Sequence, residues 1–227
     1  MQHENNAKLI LTSWDMAIPF LPQPIWAYHL AFLIIPISLF IVAIALINKL
    51  ELIRGLLISF VVMISIGFVI YFLFPVSVIL YKSVPAEVYQ PGLLNEVVRA
   101  SYARIAPWNE FPSMHVATGW FTFRAIQTVV KSRIILVTFF LWFLLMTMGA
   151  LTLYFHSIAG VAAGLLLAEC CFRLGFYKHE AISTLFEKAS FRLRMAICLV
   201  LIGVLSTTLH YAGEYDLHQV TLEKHKA

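Results

Sequence analysis

Apolar runs of about twenty residues, separated by short polar breaks, dominate this chain. That length matches the ~20 residues an α-helix needs to cross a hydrocarbon core of about 30 Å. Six runs are read, over residues 25–48, 52–74, 113–130, 134–155, 156–176 and 191–212, the third being the shortest and most polar. They predict an all-α integral membrane protein, a bundle of about six transmembrane helices. Residues 1–24 form a lead-in, 25–212 the helical domain and 213–227 a polar tail. The lead-in from Asp15 to Pro22 is broken by prolines and reads as interfacial. Between the second and third runs, Leu94, Val97, Val98, Tyr102 and Ile105 recur at helical spacing, with Asn95, Glu96 and Arg99 opposite. This pattern predicts an amphipathic helix over residues 92–105, lying flat at the interface in a long outer loop.

Composition sharpens the setting. The chain has 227 residues, of which 61% are hydrophobic and 12% charged, with a mean hydropathy of +0.85. Too little polar material remains to cover a soluble domain of this size. The formal charge of +4 comes from Lys and Arg placed between the apolar runs, which is a topological signal and not one for nucleic acid. With both termini outward, Lys49, Arg54, Lys131, Arg133, Arg173, Lys178, Lys188, Arg192 and Arg194 fall in short inner loops. Lys8, Lys82, Arg99, Arg104, Lys224 and Lys226 then occupy the longer outer segments. Cys170, Cys171 and Cys198 show neither a disulfide framework nor metal-ligand spacing and read as small buried apolar residues. The first twenty residues lack a basic region followed by an apolar core, so no cleavable signal is read there.

Chemistry concentrates at two histidines. His115 follows the polar approach Phe111-Pro112-Ser113-Met114, and His156 opens the fifth run. Both fall at the non-cytoplasmic face in the orientation above. Two histidines at one membrane face, in a chain this apolar, suggest chemistry on a lipid and not packing alone. Two charges lie deeper in the runs, Arg124 and Glu169, and a structural ion pair is the expectation for them. Trp14, Trp26, Trp108 and Trp120 read as interfacial anchors.

The segment Pro112-Ser113-Met114-His115 resembles the Pro-Ser-x-His signature of the type 2 phosphatidic acid phosphatase superfamily. Its surroundings resemble the branch containing inositol phosphorylceramide synthases: Ile18-Pro19-Phe20 and Pro22, Phe74-Pro75, and the run from Pro107 through Asn109 and Phe111 to Val116. His156, with Gly164 eight residues later, stands where that family's third signature opens. The resemblance implies a lipid phosphate or polyprenyl phosphate substrate at the bilayer and chemistry without a metal or other cofactor. It implies His156 as a nucleophile that becomes a phosphohistidine, and His115 as the acid that protonates the leaving oxygen. Ser113, Asn109, Arg104 and Lys82 are the accompanying candidates for binding the phosphate.

The chain also departs from the family pattern. Gly160 replaces the aspartate expected four residues after the nucleophile, Gly149-Ala150 stands in place of a Ser-Arg pair, and no arginine follows Phe74-Pro75 closely. Lys82, Arg99 or Arg104 are candidates to supply the charge, and Asp15, Glu110, Glu214 or Asp216 to supply the carboxylate, with His210 as a third candidate histidine. Three functions stay open on the sequence: a phosphatase or phosphotransferase, a degenerate member that binds a lipid phosphate or membrane partner without turnover, and a small transporter or assembly subunit.

Overall fold

A computed structural model describes residues 11–76, 85–104 and 110–188. The sixth apolar run, the tail with His210, Glu214 and Asp216, and the candidates Lys82 and Asn109 lie outside the described residues. Within them the helices run α1 (Ser13–Ala17), α2 (Ile25–Ala45), α3 (Leu50–Leu73), α4 (Leu93–Arg104), α5 (Met114–Gln127), α6 (Arg133–Thr152), α7 (Ile158–Tyr177) and α8 (His179–Lys188). A 3-10 turn, Ala86–Tyr89, precedes α4.

Helices α2, α3, α6 and α7 are each long and apolar enough to cross a membrane, which makes this a multi-pass membrane bundle. Their outer faces carry Phe32, Phe40, Ile44, Phe72 and Leu141, all exposed, as a lipid-facing surface requires. The third apolar run departs from expectation. Its helix, α5, has 14 residues and spans only about 21 Å at ~1.5 Å per residue. It packs against α2, α3, α6 and α7 together, and Val116, Ala117, Gly119, Phe121, Thr122 and Phe123 are buried. A helix sheathed by its neighbours does not need lipid-facing side chains, which accounts for its polarity. Thr118 and Thr122 turn their hydroxyls back onto the Met114 and Thr118 carbonyls, both at 2.8 Å.

The buried side chains form two layers. One, built on Val42, Leu56, Met63, Phe121, Phe139 and Phe172, fills the half of the bundle near the α2–α3 and α5–α6 connections. The other, built on Ile25, Tyr28, Val98, Val116, Met146 and Phe155, lies toward the starts of α2, α5 and α7. The predicted amphipathic helix is α4, and its apolar side packs on protein: Val98 is fully buried in the second layer. The Tyr102 hydroxyl donates to the Leu153 carbonyl at 2.5 Å, so α4 lies across that end of the bundle. Burial pushes the Tyr102 phenol's pKa up, keeping it a donor.

The deep charges pair as expected, with more partners than expected. Arg124 Nε lies 3.5 Å from Glu169 Oε2, Arg173 Nε donates to Oε1 at 2.7 Å, and the Trp120 indole donates to Oε2 at 2.9 Å. Trp120 is therefore a partner of Glu169 and packs on Phe123 and Phe143, whereas Trp14 is well exposed, like an interfacial anchor. Of the adjacent cysteines, Cys171 is buried as expected, whereas Cys170, one position along the same helix and so on another face, is exposed, contrary to expectation.

Candidate active site

The end of α6 sets the position of His156. Tyr154 has φ 58°, and its N–H bonds the Leu151 carbonyl while the Phe155 N–H bonds that of Ala150, both at 3.1 Å. This pairing is a Schellman motif, with tyrosine at the left-handed position that usually takes glycine. A non-glycine residue there costs about 1–2 kcal/mol, and the surrounding contacts hold it in place. The ring of Tyr154 meets Phe20 edge-on at 5.5 Å, and the Leu21 N–H donates to the Thr152 carbonyl at 3.2 Å. The His156 N–H in turn donates to Ala150 at 2.9 Å. His156 thus sits in the turn between α6 and α7, two residues before the helix it was expected to open.

The lead-in clamps the far side of the same turn. Asp15, 2% exposed, accepts the Thr12 N–H at 2.8 Å on one carboxylate oxygen. Its other oxygen accepts the Ile158 N–H at 2.7 Å. Ser157 caps α7 as well, accepting the Gly160 N–H at 3.1 Å. A carboxylate and a hydroxyl thus occupy first-turn donors of α7 that would otherwise favour an anion. Asp15 does reach the His156 segment, its carboxylate accepting from the main-chain N–H of Ile158.

The opposite wall is the approach to α5, which includes a cis Phe111–Pro112 bond. Ser113 is fully buried. Its hydroxyl caps α5 by accepting the Val116 N–H at 3.5 Å, and its N–H donates to the Gly160 carbonyl at 2.9 Å. Tyr71 on α3 donates to the Pro112 carbonyl at 2.7 Å. Gly164 makes this junction feasible, because a Cβ there would collide with the Ser113 carbonyl.

These contacts bring the two histidines together, with ring centroids 6.0 Å apart. His156 is 5% exposed, and its Nδ1 lies 2.9 Å from the Glu110 backbone carbonyl. A carbonyl only accepts, so Nδ1 carries the proton and Nε2 holds the lone pair. Burial lowers the His156 pKa to about 4, with the Glu110 carbonyl acting in the opposite direction, so the ring is neutral at ordinary pH. Glu110 was a candidate to supply a carboxylate to His156; its main-chain carbonyl makes the contact with Nδ1. Gly160 is what admits this contact. A Cβ at position 160 would stand 2.8 Å from the Glu110 oxygen, closer than packed atoms tolerate.

His115 is held differently. Its Nδ1 lies 2.8 Å from the Tyr28 hydroxyl of α2, with the two rings 4.4 Å apart and Phe32 edge-on at 5.6 Å. His29, next along α2, places Nε2 2.8 Å from Ser101 Oγ. That hydroxyl donates to Val97 at 2.7 Å, so the proton between His29 and Ser101 belongs to the imidazole. Tyr28 and His29 were not singled out in the sequence, although two adjacent polar rings inside an apolar run were a usable signal. Arg104 ends α4 at this end of the bundle, and its side chain is not described. Arg99 spends its guanidinium on the Val88 and Gln90 carbonyls, at 2.7 and 3.2 Å.

The described residues define a class, a polytopic helical bundle that holds a neutral, tautomerically fixed imidazole beside a second histidine at one end, an arrangement chemically able to support acid–base or nucleophilic steps. Comparison by sequence makes this specific, since the profile described as PAP2 superfamily matches residues 7–174. The chain belongs to the type 2 phosphatidic acid phosphatase (PAP2) superfamily. Neither a curated protein nor a solved structure matches it.

Proposed function

We infer that this protein is a lipid-phosphate phosphatase or phosphotransferase that works through a phosphohistidine. Superfamily membership supports phosphatase-type activity on lipid phosphates. The observation that carries the mechanism is the His156–Glu110 contact of 2.9 Å, which leaves Nε2 as a lone pair on a ring 6.0 Å from that of the second histidine.

In the first step the Nε2 lone pair of His156 attacks phosphorus. The P–O bond to the lipid alkoxide breaks, and protonated His115 gives its proton to the departing oxygen. In the second, neutral His115 takes a proton from water or an acceptor hydroxyl. That oxygen attacks phosphorus, and the P–N electrons return to Nε2. The Nδ1–H stays on the Glu110 carbonyl throughout, so the missing aspartate removes a counter-charge without releasing the tautomer. That distinction governs the magnitude: in a serine protease, replacing the aspartate so that the wrong tautomer forms costs about 10⁴-fold. Arg104 and Lys82 are the proposed sources of positive charge, and Asn109 of a further hydrogen bond; Ser113 contributes by shaping α5. Basic residues at the opposite connections, Lys49, Arg54, Lys131, Arg133 and Lys178, support placing the site on the non-cytoplasmic face.

A second reading, a binder without turnover, is favoured by one observation. The α7 terminus, which could have received a phosphate, is already capped by Asp15 and Ser157. Purified protein in nanodiscs, assayed for phosphate release and headgroup transfer with phosphatidate and prenyl pyrophosphate, separates the two. Catalysis requires turnover that falls at least about 10⁴-fold in His156→Ala and about 10²–10⁴-fold in His115→Ala. Lipid-phosphate binding without turnover in the wild type would establish the second reading.

A further inference from the structure

We propose that Tyr28 is a positioning residue for proton transfer, its hydroxyl holding His115 by Nδ1 so that Nε2 alone faces the substrate. This rests on the two-histidine reading above. Three observations carry it. The hydroxyl is 2.8 Å from Nδ1, the Tyr28 ring lies on the imidazole with centroids 4.4 Å apart and an interplanar angle of 32°, and Tyr28 is only 3% exposed. Phe155 fixes the tyrosine from the side at 5.0 Å, and Phe32 meets the imidazole edge-on. Ring and hydroxyl thus constrain both the tilt and the rotation of His115.

The choice of a phenol suits the task. An acid that later serves as a base must occupy one place in two charge states. The Tyr28 oxygen accepts Nδ1–H both in the imidazolium and in the neutral form whose Nε2 is a lone pair. When the ring is neutral with its proton on Nε2, before it takes up the second proton that makes it the acid, the same hydroxyl rotates and donates to Nδ1. A carbonyl could not make that second bond. A carboxylate would stabilise the imidazolium and so make it a weaker acid. The hydroxyl permits the proton to leave and return while the ring stays fixed. Loss of the bond leaves the imidazole free to flip or tilt, and an error of about 1 Å in such a group can cost ~10²-fold.

Tyr28→Phe keeps the stacked ring and removes only the oxygen. The test compares phosphatidate, whose alkoxide needs a proton to depart, with 4-nitrophenyl phosphate, whose phenolate does not. In nanodiscs, Tyr28→Phe is expected to lower kcat on phosphatidate about 10–100-fold with KM nearly unchanged. The nitrophenyl ester should lose no more than about threefold in formation of the phosphoenzyme, the step that needs no acid. The alkaline limb of the phosphatidate profile should also move. Equal losses on both substrates would reveal a structural role and overturn the proposal, as would no loss on either. His156→Ala, run alongside, separates the two layers of argument. If it equals wild type, the proposed function fails. The proposal is then decided by ¹⁵N NMR of histidine-labelled protein: a His115 Nδ1 resonance unchanged by Tyr28→Phe overturns it, and a shifted one upholds the bond.

Discussion

His115 and His156 lie 6.0 Å apart, yet the protein holds them by opposite means. His156 rests on a main-chain carbonyl, which accepts and never donates, so a single tautomer is imposed. His115 rests on a tyrosine hydroxyl, which does both. The supports differ in the same sense. Around His156 the backbone is pinned by a Schellman turn, the Asp15 clamp and the Ser113–Gly160 bond; around His115 the side chain is pinned by the rings of Tyr28 and Phe32, with Phe155 behind Tyr28. A nucleophile needs one nitrogen exposed and always unprotonated, whereas a proton carrier needs its ring fixed while its charge changes. The two seats differ in the sense that the proposed roles, nucleophile for His156 and proton carrier for His115, require.

The largest break in this contrast comes from Gly160. Gly160→Asp, which installs the aspartate expected there from the family resemblance, is predicted to lower turnover by at least about 100-fold, because its Cβ would displace the carbonyl that now holds His156. A gain in kcat would mean that the carbonyl is a poor substitute, and that the glycine is a loss. Next is the clamp. Asp15→Ala removes buried, charge-assisted bonds to Thr12 and Ile158 and should destabilise the bundle by about 1–3 kcal/mol. Thermal unfolding in nanodiscs reads that change. Turnover should fall more for Asp15→Ala than for an equally destabilising change near α8, because the clamp holds the His156 turn.

The smallest expected effect is on pH dependence. Burial lowers the His156 pKa to about 4, so its neutral form is lost only as pH falls through that value. With 4-nitrophenyl phosphate, the burst of nitrophenolate that reports phosphoenzyme formation should keep its rate from pH 8 down to about 5. A fall centred near 6.5, the ordinary value for histidine, would show that the seat is wetter than the contacts imply.

Much of this was legible in the sequence, for identifiable reasons. The four long helices are forced by the bilayer, which leaves no alternative to runs of twenty apolar residues. The Arg124–Glu169 pair followed from the expense of isolated charges in the same runs. His115 and His156 stood out because polar rings at the edge of an apolar run are uncommon. What escaped was backbone chemistry. The Glu110 contact uses a carbonyl that every residue possesses, so no side chain announces it. Gly160 read as a missing carboxylate because a sequence records what a side chain lacks and not the space its absence leaves. The polarity of α5 marked it as the weakest span, whereas its enclosure by four helices follows from tertiary packing alone. Tyr28 offered a signal, a polar ring inside an apolar run, but its partner lies 87 positions away in the chain, so the signal did not reveal the contact.

The central claim is that Nε2 of His156 is the atom that receives phosphorus. ³¹P NMR of protein denatured in base after brief exposure to phosphatidate tests it directly, because the two phosphohistidine isomers give distinct resonances. The account predicts a single signal from the Nε2 isomer, absent in His156→Ala and present at low level in His115→Ala. A signal from the Nδ1 isomer, or one that survives His156→Ala, would contradict it.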